Sequence, residues 1–90
     1  MKPSEIEMAN FLESLKAPQG RRIMESLLKK PLTEAQLVKM SRLSKKSIVL
    51  HLLPLIEAKL VLVRKNETGI HYSINEKIFI RNANWFAQFL

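Results

Sequence analysis

Ninety residues with 15 Lys and Arg against 8 Asp and Glu, a formal charge of +7, make one basic domain near the lower size at which a single core supports itself. Apolar residues are 47% of the chain, cysteine is absent, and no apolar run approaches the roughly 18 residues that span a bilayer. A disordered tail, disulfides, thiolate metal sites, iron–sulfur clusters and a membrane span are thereby excluded, and the positive charge makes nucleic acid the first partner to consider, although basic charge also serves solubility.

Met1 is followed by Lys2, Pro3 and an acidic stretch in place of an apolar run, so no secretory signal is expected and a cytoplasmic location is read. Ser4 with Glu7 has the spacing of a capping box, and Met8, Phe11, Leu12 and Leu15 follow on one helical stripe that Ile6 and Ala9 widen. A first helix over residues 4–16 is expected. Ala17, Pro18, Gln19 and Gly20 read as a break, after which Ile23, Met24, Leu27 and Leu28 define a second helix over residues 21–30, stopped by Pro31. Lys29 and Lys30 in its last turn suit the helix dipole.

Thr33 and Gln36 repeat the capping-box signal before a helix of about two turns, with Ala35, Leu37, Val38 and Met40 as its apolar positions. Ser41, Arg42 and Leu43 form a turn, and Ser44 caps a longer helix whose buried face carries Ile48, Leu52 and Leu55. Two short helices joined by such a turn, the second basic at its start, have the helix-turn-helix pattern, which helical hairpins without DNA function largely share. Pro54 removes the bond from its own nitrogen to the Leu50 carbonyl, so a kinked helix reaching about Lys59 is expected.

Leu60 to Arg64 and Ile70 to Ile74 read as two strands around a turn at residues 66–69, where Thr68 and Gly69 can supply positive φ. A final helix over residues 76–90 places Phe79, Ala83, Phe86 and Leu90 on one line, with Ile78, Trp85 and Phe89 beside it. So much apolar area on a terminal helix of a small domain points to an interface, with a second copy as partner. The expected fold is mostly α with a small β-hairpin, in the order α-α-α-α-β-β-α, as one domain over residues 1–90 whose terminal helices pair through Phe11, Leu15, Phe79, Trp85, Phe86 and Phe89.

Lys45 and Lys46, with Ser44, Ser47, Lys39 and Arg42 around them, put cations and backbone N–H groups at one helix start, where a phosphate would reverse the unfavourable meeting of lysine and dipole. Val49, Leu50 and Leu53 donate nothing, and with Ile48, Leu52 and Leu55 turned inward at least Val49 or Leu53 faces out. An outward valine suits thymine methyls or a protein partner, and the sequence leaves both open. Arg64 and Lys65 fit phosphate or minor-groove contacts as well as a solvated hairpin. His51 reads as a helix-packing residue and His71 as strand surface. No nucleophile has a base and orienter nearby and no glycine-rich phosphate loop exists, so no enzyme, cofactor or metal is expected.

The order of elements resembles the ArsR-like winged helix-turn-helix transcriptional regulators, and the resemblance reaches individual residues over roughly positions 20 to 75. Arg22, Ile23 and Leu27 resemble the start of that family's second helix, and LTEAQLVKMSRLS its first helix-turn-helix element. SKKSIVLHLLPLIEAKLV resembles the recognition helix and its exit, and Tyr72 and Ile74 the end of the wing. The resemblance implies a dimeric, repressor-type protein that binds double-stranded DNA. Three departures stand out: Arg42 replaces the usual turn glycine, Val49 and Leu50 replace a polar pair in mid-helix, and the cysteine pair and His–carboxylate cluster of metal-sensing members are missing. The second reading from the residues is a winged-helix protein-interaction module that uses Val49, Leu50 and Leu53.

Overall fold

The computed structural model describes residues 3–90; Met1 and Lys2, on which the reading of the chain's start rests in part, lie outside the described residues. Helix α1 (Glu5–Lys16) opens as expected, with the Ser4 hydroxyl accepting the Glu7 N–H at 3.1 Å. The reciprocal arm of the box does not form. The Glu7 carboxylate instead accepts from Arg81 Nη2 at 2.5 Å on each oxygen, which ties α1 to α5 (Glu76–Ala87) across the whole length of the chain. Both side chains are largely shielded from water, so truncating either would leave a partly buried charge behind.

The four-residue break expected after α1 contracts to Ala17, because α2 (Pro18–Lys29) starts at the proline. Proline fits a first helical position, where its missing N–H would have had no partner. The corner is tight for two reasons. The Arg21 guanidinium donates to the Leu15 and Lys16 carbonyls at 2.6 and 3.0 Å, satisfying the open end of α1. Gly20, inside the first turn of α2, lies so close to α1 that a Cβ there would stand 2.5 Å from the Ser14 carbonyl oxygen.

Strand β1 (Leu32–Thr33) leads directly into α3 (Glu34–Ser41), and here the capping box closes in both directions: Thr33 Oγ1 accepts from Gln36 N at 3.2 Å while Gln36 Oε1 accepts from Thr33 N at 2.9 Å. Leu37 is buried and Val38 packs beside it, but Ala35 and Met40 face outward and not into the core as expected. Helix α4 (Lys45–Glu57) follows, then strands β2 (Val61–Asn66) and β3 (Gly69–Ile74).

The sheet has three antiparallel strands in the order β1-β3-β2, one more than the expected hairpin. Leu32 pairs with Tyr72 and Thr33 with His71 on one side of β3, while Val61 to Asn66 pair with Ile74 to Gly69 on the other. Gly69 alone carries the positive φ at the hairpin end, +120°; Thr68, expected to share that role, does not, and the positive-φ residues outside glycine are Arg42 and Lys59 among the described residues.

The core draws Met8 and Phe11 from α1, Ile23, Met24 and Leu27 from α2, Leu32, Leu37, then Ile48, Leu52 and Leu55 from α4, and Leu60, Val61 and Ile74. Helix α5 differs in kind. Its apolar residues Ile78, Phe79, Ala83 and Trp85 are only partly covered, and its one buried residue among those described is Asn82, whose amide nitrogen and oxygen have no hydrogen-bond partner among the described residues. Such an amide costs about 1–3 kcal/mol relative to a paired one. The helix ends at Ala87, three residues earlier than expected, and residues 88–90 continue in i to i−3 turns. Among the described residues no helix is long and apolar enough to cross a membrane.

Candidate nucleic-acid interface

The turn between α3 and α4 is built around Ser41. Its hydroxyl donates to the Leu37 carbonyl at 2.5 Å and accepts from Leu43 N at 3.3 Å, so one buried side chain closes α3 and starts the turn. Arg42 then takes the left-handed conformation, φ 61° and ψ 25°, in the place where a glycine would pay no steric cost. Its backbone N–H returns to the Val38 carbonyl at 3.0 Å, and its exposed side chain is delivered to the rim of the turn. The chain thus accepts a strained left-handed backbone at Arg42, at a cost of roughly 1 kcal/mol.

Ser44 accepts the Ser47 N–H at 3.1 Å and so caps α4 as expected. Ile48, Leu52 and Leu55 are buried, which fixes the helix's rotation. Pro54 does not end it. The helix stops three residues later in a Schellman motif, with Lys59 N bonding the Ile56 carbonyl at 3.0 Å and Leu60 N the Leu55 carbonyl at 2.9 Å, while Lys59 supplies the left-handed residue at φ 62°. Leu55 and Leu60, the two ends of that motif, meet in the core.

With α4 rotated this way, Lys45 and Lys46 stand exposed in its first turn, Ser47 is half-buried, and Lys39, Arg42 and Ser44 are exposed just before it. Lys45 Nζ lies 3.5 Å from Glu34 Oε1, an open ion pair that puts one carboxylate inside the basic cluster. Sequence reasoning missed Glu34, because α3 and α4 meet there only in three dimensions. Val49, Leu50 and Leu53 are 39%, 66% and 52% exposed, so all three face outward, more than the minimum the helical pattern required.

Arg64 and Lys65 are exposed on β2, paired across from His71 and Ile70. The register continues through His71 to Thr33, the residue before Glu34, so the wing and the start of α4 are connected through one cross-strand row and one ion pair. His71 is more than strand surface: its Nε2 is 2.8 Å from Thr68 Oγ1, and Asn66 Oδ1 accepts from both the N–H and the hydroxyl of Thr68 at 2.9 and 2.7 Å, which stiffens the wing tip. The Tyr72 phenol, in the middle strand β3, is held above the ordinary tyrosine range by burial first and by the Glu34 carboxylate second.

His51 is half-buried and borders, with Asn10, Glu13 and Gly20, a small open cavity of about 230 Å³ between α1 and α4. Among the described residues no three His, Asp or Glu side chains come together as a metal site would require.

The six residues expected to meet a second copy separate into three groups. Phe11 is 1% exposed and stacks edge-on against Phe79 at 5.6 Å inside the chain, so it supports that surface from behind and offers no area of its own. Leu15, Phe79, Trp85 and Phe86 are half-buried. Phe89 is 68% exposed, set edge-on to Trp85 at 5.0 Å, and Ile6, Ile80 and Leu90 are exposed on the same two elements or just past them. Trp85 also borders a groove on α1 lined by Met8, Ala9 and Leu12.

No family model and no curated protein matches the chain in sequence. Solved structures do match it in fold. The structure of NolR from Sinorhizobium fredii is 25% identical, covers 99% of this chain and 96% of its own, and superposes with a TM-score of 0.73. A possible transcriptional regulator for arsenical resistance is 28% identical over 87% of this chain and 81% of that one, TM-score 0.74. An ArsR family transcriptional regulator is 19% identical over 98% and 91%, TM-score 0.76.

Proposed function

We propose that this ArsR-like winged helix-turn-helix chain is a cytoplasmic, homodimeric regulator of transcription, a repressor and not a catalyst, that binds double-stranded DNA with α4 in the major groove and the β2–β3 wing on the backbone beside it. The observation that carries the reading is the capped start of α4. Ser44 orders the first turn, Lys45 and Lys46 project from it into solvent, and Arg42 is presented from the preceding turn by its left-handed backbone. Those cations and the free N–H groups of the first turn suit a phosphate, and Arg64 and Lys65 extend the same charge along the wing. Similarity to proteins described as transcriptional regulators supports the same assignment.

The test is binding to duplexes selected from a random pool, repeated over a salt series. The expected result is a linear fall of log affinity with log salt, of slope about −0.9 for each phosphate neutralised. A dimer should further select two half-sites about 34 Å apart, one helical turn. Binding without salt dependence would contradict the reading.

The dimer is carried by a separate surface. Phe89, Ile6, Ile80 and Leu90 are exposed around half-buried Trp85 and Phe86, on a helix that contributes no fully buried apolar residue among those described. A second copy covering this area supplies the burial that one 90-residue chain does not. Trp85→Ala with Phe89→Ala is expected to sediment at half the wild-type mass while keeping its helical circular dichroism; an unchanged dimer speaks against the surface. The alternative, a protein-interaction module, draws on the exposed Val49, Leu50 and Leu53, and its own prediction is DNA-independent function of that face.

A further inference from the structure

We infer that Val49 and Leu50 recognise C5-methyl groups of pyrimidines in the major groove, so that the preferred DNA is defined at these positions by where thymine methyls stand and not by hydrogen-bonding edges. The inference rests on the proposed DNA binding and adds to it what is read. Between Lys46 and Glu57 every exposed side chain of α4 is apolar: Val49, Leu50, Leu53 and Pro54. Ile48, Leu52 and Leu55 occupy the inner face, so the helix cannot turn to hide them. Val49 and Leu53, and Leu50 and Leu53, are one helical turn apart and form one continuous surface.

The part of a recognition helix that reaches base edges is its N-terminal portion, where Val49 and Leu50 are the fifth and sixth residues of α4. An apolar side chain there has one favourable partner among the four bases. Thymine alone offers a methyl group in the major groove, whereas guanine, adenine and cytosine edges would lose water from donors and acceptors and receive no hydrogen bond in return. Charge selects DNA over a protein as the occupant: Lys39, Arg42, Lys45 and Lys46 border the start of the apolar surface, against Glu34 and Glu57, on a chain of net charge +7. A side chain that senses only the methyl distinguishes a methylated pyrimidine from an unmethylated one, so 5-methylcytosine should stand in for thymine where cytosine does not.

The experiment takes the tightest duplex from random-pool selection and remakes it with deoxyuridine in place of thymidine, one position at a time. Only the 5-methyl group is removed and the protein is untouched. Affinity should fall about fourfold per methyl at two or three clustered positions in each half-site, the loss expected for one methyl-sized apolar group. It should recover when 5-methylcytosine, but not cytosine, is placed there opposite guanine, and Val49→Ala with Leu50→Ala should bind thymine and uracil duplexes alike. Equal affinity of the wild type for both duplexes, with salt-dependent binding intact, overturns the inference, leaves the DNA-binding proposal standing and assigns the apolar surface to a protein partner. Absence of salt-dependent binding to any selected duplex overturns both.

Discussion

If α4 binds DNA as proposed, Lys45→Ala with Lys46→Ala is expected to weaken binding to a selected duplex by about thirtyfold per bound copy of α4 and to lower the salt slope by about 1.8 per bound chain, near 0.9 for each phosphate that is no longer neutralised. The thirtyfold figure corresponds to about 1 kcal/mol for each lysine, modest for a charge-assisted hydrogen bond because both side chains are exposed and solvated when free. The two lysines are not equivalent. Lys45 lies 3.5 Å from Glu34, and in the proposed complex its removal would leave that carboxylate facing the phosphates without its counter-ion. Lys45→Ala alone should therefore cost more than Lys46→Ala alone, and Glu34→Gln should tighten binding severalfold at low salt. Wild-type affinity and slope in the double variant would remove the basis for placing α4 on DNA. A drop in affinity with an unchanged slope would mean that the lysines act through something other than phosphate.

Gly20→Ala is expected to lower the stability of the fold by about 2 kcal/mol, read as a fall in the denaturation midpoint at unchanged m-value. Alanine is ordinarily the better helix residue by about 1 kcal/mol, so local propensity predicts the opposite sign. Packing decides. The added methyl would stand 2.5 Å from the Ser14 carbonyl oxygen, and this is backbone that cannot swing aside. Relief requires α1 to withdraw from α2, which strains the Arg21 bonds to Leu15 and Lys16 and loosens Phe11 and Met8 against Ile23 and Met24. An unchanged or raised midpoint would show that this corner is looser than its geometry indicates.

Gly20 also illustrates where sequence reasoning stops. Beside Pro18 it reads as a chain break, because glycine and proline punctuate turns far more often than they line helix crossings. What requires it is an oxygen six residues away on another helix. The same holds for Glu7, whose spacing from Ser4 is that of a capping box but whose carboxylate is taken by Arg81, a stronger, charged partner that no local pattern announces. Strand β1 escapes notice because two residues carry no alternation, and its existence depends on the free edge of β3.

The chain order of helices and wing, the Thr33 and Ser44 caps, the inner face of α4 and the basic residues at its start were legible in the sequence, because each is written in residues within one or two turns of one another. Local spacing reports on hydrogen bonds and faces inside one element. Only the tertiary structure decided that Phe11 is interior, that Asn82 and not an apolar residue is the buried member of α5, that Glu34 sits among the lysines, and that Val49, Leu50 and Leu53 all face outward. Each of those depends on how one element is rotated and seated against another, and that is settled by the packing of the whole core and not by any single stretch.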